Sequence, residues 1–480
     1  MRMRHPKVLR FALVALATVI VVFVAAPSAG AVVQKGIMDL RLEWSPFADR
    51  PAYMSQISSQ LHAKWVRFNI YWTFAEPARG QYDETYLAGI KENVDLAYAR
   101  GLKILVTILY TPPWAVDKRF LNSPPNGYKP GAAYKFLAMD RKYLPDFGDL
   151  TTKVVRMLGN KVAAYECGNE PNLWVHLYPQ QTVNNAKLHT VKDTNFAAHL
   201  YIKMLHEFWI HVQAAKKAGQ TNALVVAGAT APIGQNNVLS TSPQHFASVH
   251  RAGGAANWFD VYSHHPYGTY AAPESPPKSP AHSVTLGNLS VLLKIFPNKP
   301  FYLTEYGYTT EHAAQFGGNP VSRATQASYL QRAYSYASKY KQVKVLFWFL
   351  VQDVPPAPNE MTNKGVYMGL LTILGVPKLA WFAFAGGNHL TMTTPSTVNL
   401  GDTMAISGQL TTSFLPATPS QTLLVECKLP GKKTWSIVKT IHTLTGGAFT
   451  TTVVPKASAS WRVCWIPIAT SSSRTVTVTN

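Results

Sequence analysis

The chain has 480 residues, of which 47% are hydrophobic and 12% aromatic, which is ample for a packed core and excludes a globally disordered protein. Its formal net charge of +21 is strongly basic for a chain only 14% charged. Lys and Arg are nevertheless spread along the chain, without a run of about five or more, so a nucleic-acid-binding tail is excluded. An acidic polysaccharide, an anionic cell envelope or plain solubility remains as the use of the charge.

The N-terminus reads as an export signal. "MRMRHPKVLR" supplies a basic start, "FALVALATVIVVFVAA" an apolar core and "SAGA" a small-residue cleavage site, so residues 1–31 are expected to be a signal peptide cut after Ala31. The alternative is an uncleaved anchor. No later stretch is long and apolar enough to span a bilayer.

From about residue 36 to 385, short apolar runs alternate with segments of helical period. The strand candidates are "GIMDLRL" (36–42), "WVRFNI" (65–70), "KILVTIL" (103–109) and "VAAYEC" (162–167). They continue with "ALVVAGA" (223–229), "WFDVYSH" (258–264), "FYLTEY" (301–306) and "VKVLFWFL" (343–350). Between them lie amphipathic stretches such as "TYLAGIKENVDLAYARG" (85–101) and "ATQASYLQRAYSYASKY" (324–340), and "PKLAWFAFAGG" (377–387) closes the series on two glycines. The pattern predicts an α/β fold, a (β/α)8 barrel over residues 32–387, with apolar parallel strands covered on the outside.

After about residue 388 the texture changes to Thr, Ser and Val in short alternating runs, as in "TMAISGQLTTS" and "TVTVTN". Residues 388–480 are predicted to form a small immunoglobulin-like β-sandwich. Cys427 and Cys464 both fall in strand-like runs there, where a disulfide and two separate thiols read equally well. Cys167 reads as a small buried residue.

In such a barrel the loops after the strands build the active site. The fourth strand delivers Asn169 and Glu170, in "YECGNEPN", and the seventh delivers Glu305, in "FYLTEYGY". The second offers Arg67, the sixth His264, His265 and Tyr267, and the eighth Trp348, with Gln352 and Asp353 beyond it. Two facing carboxyls suit glycosidic cleavage: Glu170, kept protonated by an apolar site, would donate a proton to the leaving oxygen, and Glu305 would attack the anomeric carbon. Arg67 and the Tyr267 hydroxyl would favour the ionised nucleophile, Asn169 would bond a sugar hydroxyl, and Trp348 would stack on a sugar ring. Each of these residues also has a plain structural reading, and Arg67 could simply close an ion pair with Glu43 or Glu76. The register of polar groups at five strand ends favours the site.

With those residues in place, the sequence resembles clan A glycoside hydrolases, the superfamily of cellulases and β-xylosidases. "GNEPN" is similar to the clan's acid/base motif and "LTEYGY" to its nucleophile motif. "VRFNIYWTFAEPARGQYD", "TPPWA" and "SHHPYG" resemble loops of family 39 and related families. The resemblance implies a retaining mechanism with Glu170 as acid/base and Glu305 as nucleophile, and together with the N-terminal segment the expected function is a secreted hydrolase of O-glycosidic, β-type bonds that needs no cofactor or metal. It also implies substrate-binding roles for Arg67, Asn169, His265 and Tyr267, to which the reading of the strand ends adds Trp348. Gly168, where an aromatic often stands, would open space beside the sugar.

The expected partner is a polysaccharide or oligosaccharide, with an anionic envelope as a possible second surface, no nucleic acid and a monomeric chain. The alternative function is a carbohydrate-binding or envelope-scaffold protein that keeps the barrel without turnover. A metal-dependent hydrolase is poorly supported, because no His-x-His or clustered Asp appears at strand ends one or five. The third loop, 110–150, carries Lys118, Arg119, Lys129, Lys135, Arg141 and Lys142, which suits either acidic sugars or a solvated face.

Overall fold

A computed structural model describes residues 32–44, 49–125, 127–182, 192–311, 320–356, 365–412 and 420–480. The expected signal peptide lies outside these residues. Eight parallel strands close into a barrel in chain order: β1 (Gln34–Met38), β2 (Trp65–Tyr71), β3 (Lys103–Leu109), β4 (Ala164–Cys167), β5 (Leu224–Thr230), β6 (Val261–His264), β7 (Phe301–Tyr306) and β8 (Val343–Phe349).

Alternation along the strands sorts their side chains into two cores. Trp65, Leu105, Ala164, Val226, Val261, Tyr302, Val345 and Phe347 fill the barrel interior, a plug that leaves only the mouth for chemistry. The residues between them, such as Val66, Phe68, Ile104 and Val106, join Leu87, Ile90 and Val94 of the helix Glu84–Tyr98 in the outer core.

The main departure from the predicted elements is at the first strand, expected to run to 42. It stops at Met38, and Arg41–Trp44 turns helical. Asp39 is the cause: its fully buried carboxylate accepts the backbone N–H groups of Arg41 at 2.9 Å and Val351 at 2.8 Å, tying the end of β1 to the end of β8. The third loop is shorter than predicted, because the helix Leu144–Leu158 begins with Pro145 in its first turn, where a missing N–H costs nothing.

The C-terminal strands form a 6-stranded sheet and a 3-stranded sheet, a β-sandwich. All three cysteines are free thiols. Cys427 lies opposite Trp461 and Cys464 opposite Leu424 in neighbouring strands of one sheet, so they sit out of register for a bridge. The closing helix of the barrel, Leu379–Ala385, meets the sandwich through Phe382, whose ring stands edge-on to Trp465 at 4.9 Å. Among the described residues no helix is long and apolar enough to cross a membrane.

Candidate active site

The end of β4 is built to present two side chains. Glu166 points into the barrel while Cys167 belongs to the outer core. Gly168 then takes φ +74, a left-handed backbone that suits glycine. A Cβ there would lie 3.3 Å from the Tyr201 ring, so this glycine serves the turn and does not open space beside the sugar as the sequence suggested. Glu170 is itself left-handed at φ 42, a strain of about 1–3 kcal/mol that its surroundings must hold. They do so through its N–H, which donates to Ala229 O at 2.9 Å, and through the Leu173 N–H, which donates to Glu170 O at 2.9 Å. Behind the loop, buried Asn172 accepts from Ala231 N at 2.8 Å and donates to Thr241 O at 2.9 Å.

Glu305 reaches the mouth by a different device. Leu303 pairs with Leu346 and Tyr306 with Trp348, so β7 spends three steps where β8 spends two. This bulge re-aims a side chain that strict alternation would send toward the helices. Thr304 and Glu305 both bond barrel-side partners as a result.

Arg67 is the hub. Fully buried, it donates from Nη1 to Glu305 Oε1 at 2.5 Å, from Nη2 to Asn169 Oδ1 at 2.7 Å and from Nε to Glu166 Oε2 at 2.9 Å. The Thr107 hydroxyl also donates to Glu166 Oε2, at 2.7 Å. The Tyr267 hydroxyl donates to Glu305 Oε2 at 3.1 Å, so both oxygens of Glu305 are held in orientation. His265 links the two mouth carboxylates, its Nδ1 standing 2.9 Å from Glu170 Oε1 and 3.6 Å from Glu305 Oε2. Its Nε2 meets Thr304 Oγ1 at 3.1 Å. Of the two carboxylates considered as plain partners for Arg67, Glu76 is instead taken by Trp72 Nε1 and Gly80 N, and the Glu43 side chain lies outside the described residues.

Sequence reasoning missed Glu166, Thr107 and His176. The loop after β4 brings His176 Nε2 to 3.5 Å from Glu170 Oε2 and 3.3 Å from Asn169 Nδ2. Its ring stacks on Tyr110 at 5.4 Å, and Tyr110 stacks in turn on Tyr71 at 5.6 Å, giving an aromatic ladder that leads out past half-exposed Phe74. Glu166 was legible as a strand residue only, since one polar letter in an apolar run says nothing about which face it takes.

Trp348 is corrected. It is fully buried, donates from Nε1 to Met368 O at 3.0 Å and faces the outer core, so it has no face to offer a sugar. Alternation puts Phe349 on the inner side, in a cluster with Met38, Val366 and Met368 against which Tyr267 rests. His264 also turns away, bonding Thr230 Oγ1 and Val284 O, and burial pushes its pKa down to about 3. Asp353 is locked to the buried Lys378 ammonium at 2.7 Å.

The electrostatics of Glu170 differ from the expected apolar pocket. Burial does push its carboxyl up, but hydrogen bonds from His176 and His265 outweigh burial and hold it below the usual carboxylate range. Glu166 is held low in the same sense, burial being outweighed by the Arg67 guanidinium and then His265. Tyr267 is pushed well up by burial and by Glu305 and Glu170 beside it, so its hydroxyl keeps its proton and serves as a donor. One ligand-type atom each from Glu170, His265 and Glu305 lies within 4.8 Å of the others, a spacing a metal ion could use. Here those atoms are spent on one another and on Arg67 and Tyr267, which already supply the positive and donor character of the site.

The chain is similar to several solved glycoside hydrolases. A family 39 glycoside hydrolase from Bacteroides cellulosilyticus WH2 superposes with a TM-score of 0.50 at 17% identity, covering 88% of this chain and 81% of that one. A GH5_18 protein from Bifidobacterium longum subsp. infantis gives 0.52 at 15% identity, covering 74% and 77%. A GH5_18 protein from Streptomyces cattleya, solved with GlcNAc, gives 0.50 at 15% identity, covering 78% and 85%. At these identities the likeness is one of fold. No curated protein matches the chain. The sequence profile named Cellulase (glycosyl hydrolase family 5) matches residues 28–353, the span of all eight barrel strands with both mouth carboxylates, and the chain accordingly belongs to glycosyl hydrolase family 5.

Proposed function

We propose that the protein is a secreted, retaining hydrolase of β-glycosidic bonds, with Glu305 as nucleophile and Glu170 as acid/base. The observation that carries this reading is the separation of the two carboxylates: an oxygen of each lies within 4.8 Å of the other. Retaining enzymes hold their carboxyl groups about 5–5.5 Å apart, whereas inverting enzymes leave about 6.5–9.5 Å for a water between them.

The chemistry follows from what each group touches. A Glu305 oxygen attacks the anomeric carbon as the bond to the leaving oxygen breaks, and Glu170 gives that oxygen its proton. Water then enters, loses a proton to Glu170 and displaces Glu305 from the sugar. Asn169, oriented by Arg67 through its carbonyl oxygen, has its amide N–H available for the hydroxyl beside the reacting carbon. His265 ties the two carboxylates to one ring, so acid and nucleophile keep a fixed spacing.

Export is supported by the basic, then apolar, N-terminal segment, and the basic excess that the rest of the chain keeps suits a protein working beside an anionic envelope. We assign the sandwich a spacer or stabilising role, since it shares a continuous core with the barrel's last helix. Proton NMR of the first-formed product, recorded before mutarotation, tests the mechanism. Retention of the β-anomer is expected, and the α-anomer would show inversion and remove Glu305 from its role.

A further inference from the structure

The two oxygens of Glu170 face two different imidazoles. Oε1 lies 2.9 Å from His265 Nδ1, whose other nitrogen meets the Thr304 hydroxyl. In the tautomer that satisfies both contacts, Nδ1–H donates to Oε1 and Nε2 accepts from Thr304. Oε1 is therefore capped by a donor, and the acid proton of Glu170 belongs on Oε2.

Oε2 is the oxygen that faces His176. Asn169 fixes what His176 can be: its carbonyl oxygen accepts from Arg67, so the group it turns to His176 Nε2 at 3.3 Å is the amide, a donor. A neutral His176 thus presents a lone pair at Nε2, able to accept from a protonated Oε2 at 3.5 Å. When the proton crosses to Nε2, the imidazolium donates back to the carboxylate. The ring cannot tip away easily, being stacked on Tyr110 with 15° between the planes. Its Nδ1 is buried without a hydrogen-bond partner among the described residues, so the proton exchange runs through Nε2.

We propose that His176 is the proton-holding partner of Glu170, a positioning residue that shares one proton with Oε2 and keeps it available to the leaving group. The inference rests on Glu170 being the acid/base. Charged and titratable groups facing the pair are His265 and Glu305 across the mouth, Arg67 behind Asn169, the Tyr267 hydroxyl on Glu305 and the Lys135 ammonium over the Tyr110 ring. The side chain that meets Oε2 is His176, and an imidazole can both hold a proton and give it back. A lone carboxylic acid loses its proton near pH 4–5. Passed between Oε2 and the Nε2 beside it, the same proton stays within the pair and can return to Oε2 for the leaving group.

The test compares wild type with H176F, which keeps a ring on Tyr110, and H176Q, which keeps a neutral hydrogen-bonding group. The probes are phenyl and dinitrophenyl β-glycosides of glucose, mannose and xylose, and the readout is the pH profile of kcat/KM. On the phenyl glycoside, which needs the acid, both variants are expected to lose the alkaline limb toward lower pH by about one unit or more. That is about tenfold in rate per unit above the limb. The dinitrophenyl group leaves without protonation, so its profile should keep its limb. An unmoved limb in both variants, or an equal loss at every pH with both leaving groups, would reduce His176 to a packing residue and overturn the proposal. E170Q separates this outcome from failure of the underlying reading: if it loses no more on phenyl than on dinitrophenyl glycosides, Glu170 is not the acid and the larger assignment falls first.

Discussion

Arg67 donates to Glu305, Asn169 and Glu166 from three different nitrogens, a geometry that only a planar guanidinium supplies. A lysine is a single point donor at this site. R67K is therefore expected to keep the positive charge and still lose about a hundredfold or more in kcat/KM, because the nucleophile and Asn169 lose their fixed orientation. Steady-state kinetics with a check of thermal unfolding would decide it, and near-wild-type turnover would contradict the hub. Y267F removes one donor to Glu305, a hydrogen bond to a charged group worth about 1.5–3 kcal/mol, so a loss of roughly tenfold to a hundredfold in kcat is expected with the fold unchanged. The buried Glu166 adds a pH signature. Its carboxyl is held low in the folded protein, so its contribution to stability is complete above the unfolded value, about pH 4.3, and fades as the pH falls through the folded value. E166Q has no such proton to take up, and its melting temperature should fall less between about pH 5 and pH 3 than that of wild type. An equal slope in the two proteins would assign the acid sensitivity to other carboxylates.

At the scale of elements, the strands carried most of the information. The runs at 103–109 and 301–306 match β3 and β7 residue for residue, because fully buried parallel strands spell near-continuous apolar segments bounded by polar turns. The ends were less legible. Nothing in "GIMDLRL" says that Asp39 will be drawn under β8 and stop the strand, since that depends on Val351 arriving from the far end of the chain. Glu305 was found from its motif and its place after a strand, yet periodicity alone would have pointed it outward, and only the β7 bulge reconciles the two. Trp348 shows the converse error: an aromatic at a strand end was given to the sugar, when alternation in "LFWFL" assigns the inner face to its neighbours. His176 escaped notice because it lies in a loop with no period, and three-dimensional closeness to Glu170 has no sequence spelling. A second bulge, on β5, can be tested. Gly228 stands at φ +105, and an added Cβ would meet Ser263 O at 2.6 Å, while the next residue, Ala229, accepts the Glu170 N–H. G228A should cost about 2 kcal/mol or more in stability and lower activity as well, since the strained Glu170 backbone loses its anchor. Thermal unfolding and kinetics together check this, and loss of stability with full activity would show that Glu170 does not depend on β5.

For the whole molecule, the sandwich and barrel share one apolar core through the helix Leu379–Ala385. Phe382 is 1% exposed and lies edge-on to Trp465, itself 1% exposed, so the contact is interior to the protein. F382A is expected to cost about 3–5 kcal/mol and to split a single unfolding transition into two, sandwich and barrel. Calorimetry reads both quantities, and a single undiminished transition would show that the helix is not the joint. Retaining hydrolysis requires a covalent link between Glu305 and a sugar, and the most direct test is intact mass after exposure to activated β-glycosides carrying fluorine beside the anomeric carbon, which slows release of the intermediate. A gain equal to one fluorosugar, mapped to the peptide containing Glu305 and absent in E305A, is the predicted result. Turnover of the parent glycosides with no such adduct, or an adduct on any other residue, would contradict the assignment of the nucleophile and the retaining mechanism built on it.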